Sequence, residues 1–213
     1  EIKVREAIKD YLTAKGMDVT LSRDGKSAVK KAGETAFDLI MLDVMMPKMN
    51  GFRCCEKIRE TDGLLPVVFL TAKDAEADQV RGIGLGADDF VSKSASDTVL
   101  LARINRALER AKVFGEAARR ASGTMIALGA VSVDLKTLAV MEKGREIARL
   151  TRSESDILKI LNSQRGALIV PDDIITELRG NGFACEDTML YMHISNLRKK
   201  LGAASGFIVN RRG

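Results

Sequence analysis

The chain has 213 residues, 46% of them hydrophobic and 30% charged, which leaves room for two modest domains that each bury a core. A net charge of +5 permits a nucleic-acid partner without proving one. No apolar run approaches the roughly 18 residues of a membrane span, and no signal-peptide pattern opens the sequence. Cys54, Cys55 and Cys185 lack metal-ligand spacing, so a reduced, cytoplasmic chain fits best.

In chain order, Val4, Ile8 and Leu12 at helical spacing predict a helix over 3–15, stopped by Gly16. Met17–Leu21 alternates like a short strand, and Asp24-Gly25 turns into a helix over about 26–33. Phe37–Asp43 is an apolar run of strand length that ends on a carboxylate. A loop with Pro47 and Gly51 follows it, then a helix from Phe52 to Glu60. Pro66–Thr71 is a buried strand ending on a hydroxyl, 74–85 is helical, and Asp89–Lys93 is a strand ending on a cation. A long helix runs from Asp97 to Val113.

Strand and helix in regular alternation predict a wound α/β sheet. Such sheets place their chemistry at the carboxyl ends of the strands, where Asp43, Thr71 and Lys93 would converge. There Asp43 can accept a phosphoryl group, Thr71 can donate to a phosphoryl oxygen and Lys93 can neutralise another. Taken singly, each has a plainer reading: a loop cap, a strand-end cap and a solvated loop charge.

Leu42–Pro47 with Asn50-Gly51, Leu70–Ala72 and Gly86–Lys93 resemble the receiver domain of two-component response regulators, over residues 1–112. The resemblance implies a flavodoxin-like, doubly wound parallel sheet. Asp43 would be the phospho-acceptor for a partner histidine kinase, Thr71 the switch hydroxyl, Phe90 the switch aromatic and Lys93 the family lysine, with Mg²⁺ required. Two features depart from the pattern. The family opens with a central strand ending in an acidic metal-binding pair, so the natural protein is expected to extend upstream. A chain lacking that strand would leave its neighbours with an unpaired edge. The remaining candidate metal ligands are Asp43, Glu1 and the backbone carbonyl of Arg53 or a neighbour. The second departure is Ser94 in place of the usual proline, which predicts a trans bond after Lys93 and a different placement of that lysine, or else a partly degenerate site.

Residues 113–123, rich in Ala, Arg, Gly and Ser, read as a short tether. From Met125 to Arg149, short alternating stretches broken at Gly129, Asp134–Lys136 and Glu142–Arg145 predict a small antiparallel sheet. Thr151–Glu154 is a capping box that opens a helix with Ile157, Leu158, Ile160 and Leu161 inward. Pro171 starts a second helix around Ile174, Ile175 and Leu178. In a third helix, about 187–201, Leu190, Ile194, Leu197 and Leu201 share one face. The opposite face carries Thr188, Met192, Ser195 and Lys199, flanked by Tyr191 and Asn196, with Arg198–Lys200 crowding its end. That suits a DNA major groove, or an ordinary surface helix whose last cations complement its dipole.

Leu150–Glu154 and Met192–Leu201 resemble the winged helix-turn-helix effector of the OmpR/PhoB subfamily, over 124–213. This implies a recognition helix at 187–201 and a wing from Phe207, with Thr188, Tyr191, Met192, Ser195, Asn196, Arg198, Lys199 and Arg212 toward double-stranded DNA. The lone His193 packs at the edge of the buried face or touches a phosphate. Cys54 and Cys55 would be surface and core thiols of their helix.

The family mechanism implies a homodimer on activation, through a surface that includes Arg81, Asp89 and Arg103. Val99 and Gly84 stand where acidic partners are common. The expected function is therefore a phosphorylation-switched, DNA-binding transcriptional response regulator acting on tandem half-sites, not an enzyme. Two alternatives stay open: a regulator that binds DNA without phosphorylation, and an Asp-nucleophile phosphohydrolase. The second would want an acid two residues after Asp43, where Met45 stands.

Overall fold

The computed structural model of the chain describes residues 2–72, 82, 84–120, 125–180 and 187–210. Its first half is built on β1 (Ile40–Asp43), β2 (Val67–Thr71) and β3 (Asp89–Ser92), parallel and in the order β1-β2-β3. Around them lie α1 (Ile2–Ala14), α2 (Gly25–Glu34), α3 (Gly51–Thr61) and α4 (Asp97–Arg120). Both faces of the sheet are covered, as parallel strands require. Alternate residues of β2 enter opposite cores. Val67 and Phe69 join Leu42, Phe52 and Ile58 beside α3, while Val68 joins Leu12, Leu100 and Ile104 between α1 and α4. This is the doubly wound arrangement expected from the alternation of elements.

Two expectations are corrected. Met17–Leu21 forms no ladder, although Met17 and Val19 pack on the α1–α4 core. A strand needs a hydrogen-bonded neighbour, and among the described residues β1 pairs with β2 alone. The long helix does not stop at Val113 but continues to Arg120, so 113–120 is rod rather than tether. One glycine in a helix costs only about 1 kcal/mol against alanine, and Glu116, Ala117, Ala118, Arg119 and Arg120 after Gly115 all favour helix. The expected helix over 74–85 lies mostly outside the described residues.

The second half opens with the antiparallel sheet β4 (Met125–Leu128), β5 (Val131–Asp134), β6 (Ala139–Glu142) and β7 (Arg145–Arg149). Lys143 and Gly144, both at positive φ (49° and 77°), make the two-residue turn between β6 and β7. Such mirror-image turns match the twist of a hairpin. Three helices follow: α5 (Arg152–Ser163), α6 (Pro171–Gly180) and α7 (Asp187–Leu201). Thr151 and Glu154 cap α5 reciprocally, as the capping box predicts. One core unites the sheet with Ile157, Leu158, Ile174, Leu178, Leu190 and Leu197. After α7 the chain makes a 3₁₀ turn, Gly202–Phe207, and no strand begins at Phe207 among the described residues. No helix among them is long and apolar enough to cross a membrane.

Candidate functional site

Asp43 ends β1, Thr71 ends β2, and Lys93 directly follows β3. Parallel pairing brings these ends side by side, with Thr71 opposite Ser92 and Asp43 opposite Leu70. Lys93 Nζ lies 2.7 Å from Asp43 Oδ2, and the Met45 N–H donates to Asp43 Oδ1 at 2.9 Å. Both side chains are about one-fifth to one-quarter exposed, 21% for Asp43 and 24% for Lys93, so the carboxylate is reachable. No cis bond occurs among the described residues, so the bond from Lys93 to Ser94 is trans as expected. Lys93 reaches Asp43 without the proline. Ser94 meanwhile donates its N–H to Ser92 Oγ, tying the loop to β3.

Close packing sets the loop after Asp43. A Cβ on Gly51 would overlap the Asp43 carbonyl, so only glycine lets α3 start this close to β1. A Cβ on Gly25 would come 2.9 Å from Met49 Cβ, which lets the same loop rest on α2. Lys48, at a φ of 63°, pairs with Asp24, the N-cap of α2. The Lys48 hydrogen bond, helped by the Ser27 N–H, holds Asp24 down at about 2. The Asp24–Lys48 clamp was not foreseen from sequence, although Asp24-Gly25 is a readable helix start.

Thr71 is buried and donates to the Ala72 carbonyl at 3.2 Å. Phe90 stacks on Phe69 with centroids 5.4 Å apart, and Phe69 in turn meets Phe52 at 5.3 Å. A Cβ on Gly82 would come 2.6 Å from Phe90 Cζ, so this glycine makes room for the ring.

The described residues fit a Mg²⁺ site poorly. Mg²⁺ wants near-octahedral oxygen and one or two carboxylates. Among them no group of three acidic, histidine or cysteine side chains is placed to hold a metal. Asp43 has both oxygens already engaged, by Lys93 and by the Met45 N–H. Arg53 lies inside α3, its N–H taken by Asn50 Oδ1 and its carbonyl one turn before Lys57, in the helical ladder. Met45, not Arg53, is the residue whose main chain borders the carboxylate. Glu1 lies outside the described residues.

Asp89 is buried and pairs with Arg103 of the same chain at 2.8 Å; Arg81 lies outside the described residues. Cys54 and Cys55 are both fully buried in α3, so neither is a surface thiol. Burial above all pushes them up to about 12 and 11, which keeps them protonated and unreactive.

On α7, Leu190, Ile194, Leu197 and Leu201 are buried as the helical spacing predicts. Tyr191, Ser195 and Lys199 are exposed. Met192 and Asn196 instead face the first half of the chain, where the Asn196 amide donates to the Gly84 carbonyl. Arg198 is a staple, giving Nε and Nη2 to the Ile208 carbonyl at 3.0 and 2.8 Å and Nη2 to Asn210 Oδ1. The side chain of Thr188, and Arg212 altogether, lie outside the described residues. His193 is fully buried, so it packs rather than touching a phosphate.

Comparison with known proteins agrees with this geometry. Residues 1–105 match the response regulator receiver domain family, and residues 144–213 match the family described as transcriptional regulatory protein, C terminal. The transcriptional regulatory protein YclJ of Bacillus subtilis (strain 168) is 35% identical over 193 residues, 91% of this chain and 84% of that protein. The alkaline phosphatase synthesis transcriptional regulatory protein PhoP of the same organism is 32% identical, over 89% of this chain and 80% of its own length. A solved structure of a RitR mutant shares the fold with a TM-score of 0.79 at 21% identity, covering 95% of this chain and 87% of that one. With a parallel receiver sheet, a C-terminal helical domain and relatives that span both, the chain belongs to the two-component response regulators of OmpR/PhoB type, whose receiver domain is joined to a DNA-binding transcriptional domain.

Proposed function

We propose that this regulator is switched by phosphorylation of Asp43, donated by a partner histidine kinase, and that the switch governs DNA binding through α7. The observation that carries the reading is the meeting of Asp43 with Lys93 beside the end of β2, in one chain with a helix that ends in Arg198-Lys199-Lys200. An Asp43 oxygen bonds to phosphorus as the donor's P–N bond breaks; the leaving imidazole keeps the electron pair and regains a proton from water. Lys93 offsets the charge gained, and Thr71 swings to donate to a phosphoryl oxygen. Phe90, the next switch residue, follows. Receiver domains phosphorylate with Mg²⁺, but the described residues supply too little of such a site, so no step here runs through the metal.

In this reading the receiver spans 1–112 and the DNA-binding domain 124–213. Arg81, Asp89 and Arg103 lie on a homodimer surface, and Tyr191, Ser195 and Lys199, with Thr188 and Arg212, approach double-stranded half-sites. A DNA-bound regulator of this kind works in the cytoplasm.

The test is DNA affinity before and after treatment with a small phosphoryl donor. Treatment is expected to tighten binding of the parent chain by about tenfold or more, a normal coupling for a two-site switch. Asp43→Ala stays unresponsive. A second reading is a regulator indifferent to phosphorylation, in keeping with Ser94 where the family usually carries proline. In that case the parent chain and Asp43→Ala bind DNA equally under both conditions.

A further inference from the structure

The loop between β1 and α3 reaches away from the sheet to α2. Its neck is closed by the Gly51 N–H on the Val44 carbonyl at 3.0 Å, and Met46 and Met49 pack on the core beside α3. Between those methionines the chain turns at Pro47-Lys48, with the Met49 N–H on the Pro47 carbonyl at 2.7 Å. Lys48 takes a φ of 63°, a conformation that a residue with a side chain holds only where its surroundings impose it. Two contacts impose it here: Met49 lies flat on Gly25, and the Lys48 ammonium reaches Asp24. The Asp24 carboxylate is buried at the start of α2. Its Oδ1 accepts the Ser27 N–H at 2.8 Å, which leaves Oδ2 for Lys48.

Electrostatics makes the pair hard to replace. Arg23, Lys26 and Lys30 line the same cleft as Lys48, and Asp24 is the one carboxylate among the lining residues. Glu34 offsets Lys30 from outside, at 3.7 Å. Without the Asp24 charge, Lys48 would face three other cations and turn out to solvent, and the turn at Lys48 would go with it. The near side of the same loop holds the reacting carboxylate. Met45, two residues after Asp43 and three before Lys48, gives its N–H to Asp43 Oδ1 at 2.9 Å, while Oδ2 lies 2.7 Å from Lys93. The Met45 side chain is 73% exposed, so the path of the loop, not packing of its own, aims that N–H.

We propose that Asp24 is a positioning residue for the phospho-acceptor: through Lys48 it fixes the loop so that Met45 holds the Asp43 carboxylate with Oδ2 toward Lys93. The inference rests on Asp43 being the acceptor. Asp24 acts through Lys48, not on the phosphoryl group. Opening the clamp frees the Met45 N–H and lets the carboxylate rotate away from its attacking orientation, while α2 and α3 stay folded. A misplacement of about 1 Å at a reacting group can cost about a hundredfold in rate, and one loosened hydrogen bond is expected to cost about tenfold.

The experiment takes two readings from the full chain: amide hydrogen exchange, residue by residue, and the rate of phosphoryl uptake by intact mass with Mg²⁺ and a small phosphoryl donor. Asp24→Asn keeps the cap of α2, because Asn caps a helix as well as Asp, and removes the charge. In this variant the Met45 amide is expected to exchange about tenfold faster, and uptake to slow about tenfold. The Val44 amide, bonded to the Leu70 carbonyl, and the amides of α2 keep their parent rates. Lys48→Met gives the same two changes, the double variant gives no more than either alone, and Lys48→Arg restores both readings. A capping role alone would instead speed exchange along α2 and leave Met45 as in the parent. Parent-like exchange at Met45 in both Asp24→Asn and Lys48→Met overturns the positioning, as does faster exchange with parent-like uptake. No adduct on the parent chain overturns the reading of Asp43 as acceptor, and the inference with it, even where Met45 responds.

Discussion

Glu154→Ala is expected to cost the C-terminal domain about 2–4 kcal/mol, with a loss of order in α7. Glu154 is 1% exposed and serves two partners: its Oε2 accepts the Thr151 N–H at 2.7 Å and the Lys200 ammonium at 2.7 Å. Removing a capping side chain costs about 1 kcal/mol. Breaking a buried ion pair from one side costs about 3–5 kcal/mol, less here because Lys200 is 31% exposed and can turn to water. Glu154→Gln keeps an acceptor for the Thr151 N–H and loses only the ion pair, so it costs about 1–3 kcal/mol, short of the alanine loss by the capping contribution. Urea unfolding followed by circular dichroism separates the two variants. Equal losses for Gln and Ala would mean that the Lys200 pair, not the cap, sets the value.

The second large effect is acid sensitivity. Burial, reinforced by the nearby Arg110 and Lys200 cations, pushes His193 down to about 3 from an ordinary 6.5. Between these values the unfolded chain binds a proton that the folded chain refuses, so stability falls as pH drops from about 6.5 toward 3 and is unaffected by this group above 6.5. The full effect is roughly 3–5 kcal/mol. Carboxylates also titrate in this range, so the measurement is the difference in acid slope between the parent chain and His193→Gln, from urea midpoints at several pH values. The variant should lose most of the decline between neutral pH and the onset of carboxylate titration. Parallel slopes would show that His193 already carries its proton in the fold.

Where the sequence could be read and where it could not follows from the physics of each position. Asp43, Thr71 and Lys93 were legible because parallel strands align their ends, so three run-ends in sequence become one edge in space. The buried face of α7 followed from spacing alone, as did the cap of α5. Arg198 was not legible: a cation near a helix end looks solvent- or DNA-directed until the chain folds back and offers the Ile208 carbonyl. Gly115, Ser122 and Gly123 together suggest a tether, but the strong helix formers directly after Gly115 carry the helix to Arg120. Met17–Leu21 has strand chemistry but no ladder partner among the described residues, which periodicity cannot reveal. The contact between Gly84 and Asn196 joins residues 112 apart, and glycine in place of a common glutamate was its only trace.

The central claim is that Asp43 accepts the phosphoryl group. Intact mass after incubation with Mg²⁺ and a small phosphoryl donor tests it most directly, with the parent chain beside Asp43→Asn. The account predicts one phosphoryl adduct on the parent and none on Asp43→Asn. An adduct that survives Asp43→Asn, or its absence from both, would contradict it.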